Sequence, residues 1–323
     1  MRRARVASRM AERRLIPLAL LLALGCAAFL LWNLRAPMGF ILSLRATKLA
    51  ALVVVGAASG AATVLFQTVA GNRLITPGIV GFDALFVFLQ TMLVLALGSA
   101  GYATLPTLPA FLIETACLAG AGVALFGLLL RRGAGDLIRL VLSGLILGVM
   151  LRGLSGFAQR LLEPSEFAVV QQASFASFGA VDRAQLALAG PLLALALLIA
   201  WRLSSRLDLA LLGRDKAITL GLDFDRLLLG VLALIAVMVA VSTALVGPVA
   251  FLGLIAAALA HALLGHPCHA ALLPAAAGLG ALILVAGQFL FERLLGFEST
   301  LAVIVEFLGG LVFLALVLRK AAR

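Results

Sequence analysis

Four residues that commonly bind metal ions fall within nine positions in the last third of the chain. They are His261, His266, Cys268 and His269, in the run HALLGHPCH. Histidine and cysteine at such short spacing can bind zinc. However, Pro267 stiffens the turn between them, and the set straddles the predicted end of a helix. The pattern therefore favours a polar connector between two helices over a metal site.

Residues that would hydrolyse ATP or form a covalent intermediate do not stand out. A phosphate-binding P-loop needs a lysine that follows glycine and precedes serine or threonine. The three lysines, Lys48, Lys216 and Lys320, have no such neighbours. No nucleophile is paired with a base in a recognisable motif. We therefore predict that the chain is not an enzyme and holds no cofactor of its own.

Ionisable residues within long apolar runs are candidates for transport chemistry, because a charge inside a membrane is costly. Three that stand out are Glu114, Arg152 and Glu306. Glu306, in the last apolar run, is the most deeply placed. It could line a transport pathway or pair with an arginine of another helix. No chain of acidic residues crosses the apolar runs, which weakens a proton-coupled mechanism.

A strongly charged segment, Arg202 to Arg226, separates two apolar stretches, and we name it the island. Its charged residues are Arg202, Arg206, Asp208, Arg214, Asp215, Lys216, Asp223, Asp225 and Arg226. We expect Asp208 to cap a short helix through its side-chain oxygen. We expect Gly213 to interrupt that helix and Gly221 to end a second helical turn. The island is either a solvated loop or a docking surface for a soluble partner.

These polar residues lie between apolar runs that only a membrane can accommodate. The chain has 323 residues, 64% of them hydrophobic, and a mean hydropathy of +1.19. Repeated runs of about 20 apolar residues predict membrane-spanning helices. We therefore expect one all-α, polytopic domain over residues 1–323, in which the short eighth span need not cross the membrane alone. The ten predicted spans are residues 15–33, 48–70, 81–98, 106–130, 137–160, 185–201, 227–246, 250–264, 271–291 and 300–318.

The distribution of Lys and Arg predicts how the spans are oriented. With a cytoplasmic N-terminus, 18 of the 25 basic residues fall in cytoplasmic segments and seven on the outer side. Cytoplasmic segments of membrane proteins are enriched in Lys and Arg, so both termini and the island are predicted to be cytoplasmic. The net charge of +11 is spread over loops and ends, which argues against a nucleic-acid-binding face.

Small residues predict where helices pack closely. Gly56 and Gly60 form one GxxxG pair, and Gly144 and Gly148 form another. Such pairs let two helix backbones approach each other within a membrane. The three cysteines, two of them inside predicted spans, imply no disulfide framework.

The turn after the second span carries a resemblance to a known family. The run QTVAGNRLITPGIVG extends from Gln67 to Gly81 and contains Asn72, Pro77 and Gly78. These residue types predict a tight re-entry into the membrane. The run resembles the signature of the permeases of iron-chelate and cobalamin ABC importers.

Three further stretches resemble the same family in the same order. The tripeptide LSG at residues 142–144 is similar to the start of the family's fifth span. The island run LLGRDKAITLGLD resembles the loop that contacts the ATPase. The run GPVAFLGLI contains Gly247, Pro248 and Gly253 and resembles another family motif. From the first stretch to the last, the four stretches span most of the chain.

Two departures from the family pattern bear on the substrate. Arg73 replaces a usual proline, and Ala257 and Ala258 replace a usual Pro-His pair. The run GFDALFVFLQT, which follows the turn, resembles the branch that handles catecholate- or petrobactin-type ferric siderophores. That branch often lacks the Pro-His pair, so the resemblance favours a siderophore over cobalamin.

The resemblance implies a type II ABC importer permease fold, with ten spans in the bacterial cytoplasmic (inner) membrane. It implies a second permease copy or a related chain, a substrate-binding protein, and two ATP-binding subunits that hold ATP and Mg²⁺. Residues 208–226 would then form cytoplasmic coupling helices. The island residues implied in coupling are Asp208, Gly213, Arg214, Asp215, Lys216 and Gly221.

The resemblance also implies basic residues that meet the binding protein on the outer side. The family's binding protein presents acidic residues to permease arginines, and the counterparts here are Arg45, Lys48 and Arg293. The alternative is that these long cationic side chains simply extend to the membrane interface.

The function implied is import of iron(III)–siderophore complexes by ATP-driven alternating access. Haem or cobalamin import would use the same architecture. An ion-coupled secondary transporter is the rival from another class, and it would need intramembrane acidic residues with partners.

Overall fold

The computed structural model describes residues 2–33, 37–131, 137–265, 268–294, 296 and 301–321. Every regular element in these ranges is helical, which confirms the predicted all-α class. The helices are α1 (Arg2–Leu31), α2 (Met38–Ala70), α3 (Phe82–Ala103), α4 (Thr107–Arg131), α5 (Leu137–Gln159), α6 (Pro164–Ala173), α7 (Arg183–Arg202), α8 (Ser204–Ala210), α9 (Arg214–Thr219), α10 (Phe224–Val246), α11 (Leu252–Leu264), α12 (His269–Phe289) and α13 (Leu301–Ala321). A 3₁₀ turn (Pro77–Val80) precedes α3, and a π turn (Leu290–Leu294) follows α12.

Eight of the described helices are long and apolar enough to cross a membrane, namely α1 to α5, α7, α10 and α12. Two shorter apolar segments, Leu252–Leu264 and Ile304–Leu314, match the remaining predicted spans. The 13 residues of α11 reach only about 20 Å, whereas the hydrocarbon core is about 30 Å thick. This agrees with the expectation that the eighth span does not cross alone.

Helix α2 lies at the centre of the molecule. It packs against α7, α10, α11 and α12, and its residues Leu52, Val55, Leu65 and Phe66 are fully buried. Its 33 residues extend about 50 Å, well beyond the membrane core. The helix begins ten residues before the predicted start of the span. Charged residues such as Arg45 and Lys48 indicate where a helix leaves the lipid, but they do not end the helix.

Glycine allows α2 and α12 to cross in backbone contact. A Cβ atom on Gly56 would lie 2.5 Å from the carbonyl oxygen of Gly280 and 2.7 Å from the backbone of Ala281. A Cβ on Gly60 would overlap the carbonyl of Ala276. The close packing predicted for the Gly56 and Gly60 pair is therefore confirmed.

The turn after α2 doubles back along the helix that precedes it. Gly71 ends α2 at a φ of +59°, a left-handed conformation that favours glycine. Thr76 and Pro77 then line one small cavity together with Ser59 and Thr63, which lie two to three helical turns before the end of α2. The tight turn that the sequence predicts is therefore confirmed, and its re-entry into the membrane stays a prediction.

Candidate functional site

The island folds into two short helices at the end of the bundle where α7 ends and α10 begins. Gly213 separates α8 from α9 with a φ of +93° and a ψ of 159°, a region that only glycine occupies readily. Gly221, at a φ of +86°, follows α9. Ala217, fully buried, anchors α9 to the bundle. The predicted interruption at Gly213 and stop at Gly221 agree with this geometry.

Asp208 caps a different helix from the one predicted. It lies inside α8, where its carboxylate cannot serve as that helix's N-cap. Its Oδ1 atom instead accepts the backbone N–H of His269 at 2.9 Å and contacts the Nδ1 atom of the same residue at 2.6 Å. Asp208 therefore caps the start of α12, because folding brings the exposed N–H groups of that helix to α8.

His269, at the end of the histidine run, does not belong to the polar connector that the sequence favours. His269 is 1% exposed, and its two ring nitrogens meet Asp208 and Thr68. His266 and Pro267 lie outside the described residues. No local signal marks His269 as buried, because the carboxylate that stabilises it lies 61 positions earlier in the chain.

The charges predicted to face a soluble partner divide into two groups. Arg214 donates to both carboxylate oxygens of Asp225, at 3.1 and 3.0 Å, and so ties α9 to the first turn of α10. Asp215 and Lys216 are exposed. Of the three charges implied in coupling at the start of α9, Asp215 and Lys216 therefore face outward, while Arg214 also sets the orientation of α9.

Gln67 and Asn72 hold the turn that resembles the family signature. The buried amide of Gln67 donates to the carbonyl oxygen of Arg73 at 2.7 Å. The side-chain oxygen of Asn72 accepts the backbone N–H of Leu74 at 3.0 Å, as in an Asx turn. Pro77 begins the 3₁₀ turn, where its missing N–H is no loss. These motif residues therefore shape the turn.

The glycines of the same turn make room for a carboxylate and a helix. A Cβ on Gly78 would lie 2.5 Å from the Oδ2 atom of Asp83. Gly81, at a φ of +107°, lies so close to Gly144 and Gly148 of α5 that a Cβ would be 3.2 Å from each. The second GxxxG pair therefore packs against the turn. Asp83 lies within a predicted span but did not stand out in the sequence, since it comes directly after the turn.

The third motif bends the chain between α10 and α11. Gly247 ends α10 at a φ of +93° and lies against Ala176, so that a Cβ on Gly247 would be 3.1 Å from the Ala176 Cα. Pro248 is buried directly after it. A Cβ on Gly253 would overlap the hydroxyl of Thr63 on α2. Gly247 and Gly253 are therefore required by backbone conformation and by close helix contact.

Glu306 is half-buried on α13. Within the described part of the chain it forms no ion pair with an arginine, which was one of its two expected roles. Gly309, one turn further on, contacts Phe251 at the start of α11. A role for Glu306 in a pathway stays a prediction.

Glu114 belongs to a network of hydrogen-bonded side chains beside a cavity. The cavity has a volume of about 440 Å³ and lies at the end of the bundle opposite the island. The Gln90 amide donates to Glu114 at 2.9 Å, and the Tyr102 hydroxyl donates to Gln90 at 2.7 Å. The sequence did not reveal this network, because Gln90 and Tyr102 carry no charge that stands out among apolar residues.

The basic residues predicted to meet a binding protein form one cluster at this same end. Arg45 is only 8% exposed, and its guanidinium donates to the carbonyl oxygens of Leu30 and Trp32 at 2.9 and 2.8 Å. It therefore caps the C-terminal end of α1. The structure places Arg45 and Lys48 on α2 itself, not in a connection before it.

Glu292 forms ion pairs with the other two basic residues of this cluster. It lies 2.7 Å from the Lys48 ammonium and 3.3 Å from the Arg293 guanidinium. These contacts join α1, α2 and the π turn. Docking of a binding protein by Arg45, Lys48 and Arg293 stays a prediction.

We expect Glu292→Gln to lower the stability of the chain by about 1–3 kcal/mol, because Lys48 and Arg293 would lose their shared counter-charge while half-buried. The measurement is the thermal unfolding midpoint in detergent. A Lys48→Met/Glu292→Gln double variant should recover part of the loss, since it removes one of the unpaired charges. An unchanged midpoint in the single variant would show that the cluster is not a stabilising contact.

Comparison with known proteins agrees with this architecture along the whole chain. The profile of the FecCD transport family matches residues 10–319. The chain is 34% identical over 299 residues to the petrobactin import system permease protein YclO of Bacillus subtilis (strain 168), covering 93% of this chain and 95% of that protein. It is 30% identical over 320 residues to the petrobactin import system permease protein FatC of Bacillus anthracis, covering 97% and 90%.

A solved structure shows the same fold. An inward-facing metal-chelate type ABC transporter superposes with a TM-score of 0.82 at 24% identity, over 95% of this chain and 99% of that one. The predicted importer-permease fold is thereby confirmed. The family match spans nearly all of the described helices, from α1 to α13. This chain belongs to the FecCD transport family.

Proposed function

We propose that this chain is the membrane-spanning permease subunit of an ABC importer for iron(III)–siderophore complexes. The observation that carries the proposal is the pair of short helices, α8 and α9, which stand at one end of the membrane bundle with exposed charges in a FecCD family member. Such helices suit the transfer of motion from an ATPase to the spans. ATP binding by the partner would supply the work, and this chain would convert it into helix motion.

The partners follow from the surfaces of the chain. Two ATP-binding subunits, which hold ATP and Mg²⁺, would each contact an island through Asp215 and Lys216. A second permease copy or a related chain would pack beside this one. Apolar side chains such as Ile146, Phe157 and Phe307, each more than 60% exposed, can face lipid or that second copy. A substrate-binding protein would dock at the opposite end.

The membrane placement follows the distribution of charge. The island and both termini would lie in the cytoplasm, and the Arg45 cluster on the outer side of the bacterial inner membrane. Opposite charges on a binding protein would orient its approach more than they would tighten its binding. On this placement the 440 Å³ cavity beside Glu114 opens outward.

The petrobactin permeases to which the chain is similar support a siderophore as the cargo. Haem or cobalamin import would need no change in architecture. Selectivity would reside mostly in the binding protein, because the apolar spans offer few groups that could recognise a chelate.

The test is uptake of labelled ferric petrobactin into proteoliposomes that contain this chain, its ATP-binding subunit and its binding protein. We expect uptake that requires ATP and the binding protein, with haem and cobalamin as competing cargoes in parallel assays. Uptake of haem or cobalamin alone would change the cargo. Uptake without the ATPase, driven by a proton or sodium gradient, would contradict the importer proposal and favour a secondary transporter.

A further inference from the structure

A series of hydrogen bonds between three polar side chains joins the island to the end of α2. The Asp208 carboxylate contacts the Nδ1 atom of His269 at 2.6 Å, and the Nε2 atom of His269 lies 2.7 Å from the Thr68 hydroxyl. Asp208 belongs to α8, His269 to the first turn of α12, and Thr68 to the last turn of α2. Three elements distant in sequence therefore meet at one imidazole.

The proton positions around His269 depend on the state of its ring. With a proton on Nδ1 alone, the imidazole donates to Asp208 and its Nε2 atom accepts the Thr68 hydroxyl proton, which then no longer bonds the Val64 carbonyl oxygen 2.8 Å away. With protons on both ring nitrogens, Nε2 donates to Thr68 and the hydroxyl donates to Val64. Asp208 also accepts the His269 backbone N–H. Because His269 is 1% exposed, loss of either partner would leave a buried ring nitrogen without a hydrogen bond, which is costly.

This series of hydrogen bonds leads directly to the turn that follows α2. Thr68 follows Gln67, whose amide holds the backbone of Arg73 at 2.7 Å. A displacement of α8 would therefore reach the turn through Asp208, His269 and the last turn of α2. The Trp201 indole also donates to the carbonyl of Ala270 at 3.2 Å, so α7 holds the start of α12 from a second side.

We infer that Asp208, His269 and Thr68 are positioning residues that transmit motion of the coupling helix α8 to α2 and to the turn at residues 71–81. The inference rests on the proposed function, and it adds a route from the ATPase side to the spans. His269 is buried and cannot itself touch a soluble partner. Its role is therefore distinct from that of the exposed charges of the island.

The test compares uptake with ATP hydrolysis in the assembled complex in proteoliposomes. In Thr68→Val and in His269→Gln we expect uptake per ATP hydrolysed to fall about tenfold, which is in the range of interaction energies between residues in direct contact. The rate of ATP hydrolysis should stay within about twofold of the wild-type rate. Uptake per ATP hydrolysed in the double variant Asp208→Asn/His269→Gln should be no lower than in the more impaired of the two single variants, because both substitutions break the same series of hydrogen bonds.

Two controls separate transmission from a general effect on the fold. Thr68→Ser keeps the hydroxyl and should transport as the wild type does. Thr47→Val removes a hydroxyl of the same helix that donates to that helix's own backbone, at 3.0 Å from the Ser43 carbonyl oxygen, and should also transport normally. If His269→Gln fails to assemble, Thr68→Val against Thr68→Ser still decides the question.

The inference and the proposed function fail in different ways. Uptake and hydrolysis that fall in parallel in Thr68→Val, or a ratio equal to that of the wild type, would overturn the transmission route while the importer stands. Absence of ATP-dependent uptake in the wild-type complex would overturn the proposed function and the inference with it.

Discussion

Gly280→Leu is expected to prevent α2 and α12 from packing and to leave little correctly folded chain. A Cβ on Gly280 would overlap the Gly56 backbone, and backbone atoms cannot rotate away as a side chain can. The two helices would have to separate, which would open the contacts of the central helix. Overpacking typically costs about 1–3 kcal/mol, and we expect a cost at or above the top of this range because backbone atoms block the added side chain.

The measurement is the fraction of purified chain that elutes as a single species in detergent, together with its thermal midpoint. Gly120→Leu on α4 is the matched control, since Gly120 is exposed and a Cβ there meets nothing within 4 Å. Both variants gain the same side chain in a membrane-spanning helix. A Gly280→Leu chain that unfolds at the temperature of the control would refute the backbone contact between α2 and α12.

Gly213→Pro is expected to abolish most ATP-driven uptake while the membrane bundle stays folded. Proline fixes φ near −65°, whereas Gly213 has a φ of +93°. The change would redirect α9 relative to α8 and separate Arg214 from Asp225. A strain of about 1–3 kcal/mol at this position would lower the population of the competent arrangement about 5- to 150-fold.

Uptake and assembly with the ATP-binding subunit are measured on the same preparation. Gly230→Ala, at an exposed helical glycine with open space around it, should transport normally and bind the ATPase. Gly213→Pro should lower the thermal midpoint only slightly, because the strained position is exposed and α9 can shift without opening the buried contacts between the spans. Normal uptake by Gly213→Pro would remove α8 and α9 from the coupling mechanism.

Much of the fold is predictable because its signals are local. Ten apolar runs predict ten helical segments, and the short run at residues 250–264 corresponds to the 13-residue α11. Gly213 and Gly221 predict where the island helices end, because a positive φ excludes most other residues. Gly56 and Gly60 predict a close crossing, although the sequence does not say which helix crosses there.

The partners of polar residues were harder to predict. Asp208 resembles a cap for its own helix, but it caps α12. Arg45 resembles an outward-facing docking residue, but its guanidinium bonds the end of α1. In each case the hydrogen-bonding capacity is evident from the residue type, while the partner is chosen by how the helices pack.

The helical class, the spans, the island and the family resemblance can all be read from the amino-acid sequence, because apolar length, glycine and proline act over a few residues. Helix packing, in contrast, places His269 between Asp208 and Thr68, Glu292 beside Lys48 and Arg293, and Gly280 against Gly56. These contacts join residues that are far apart in the chain. A buried polar group must find a partner, but helix packing decides which groups come within reach.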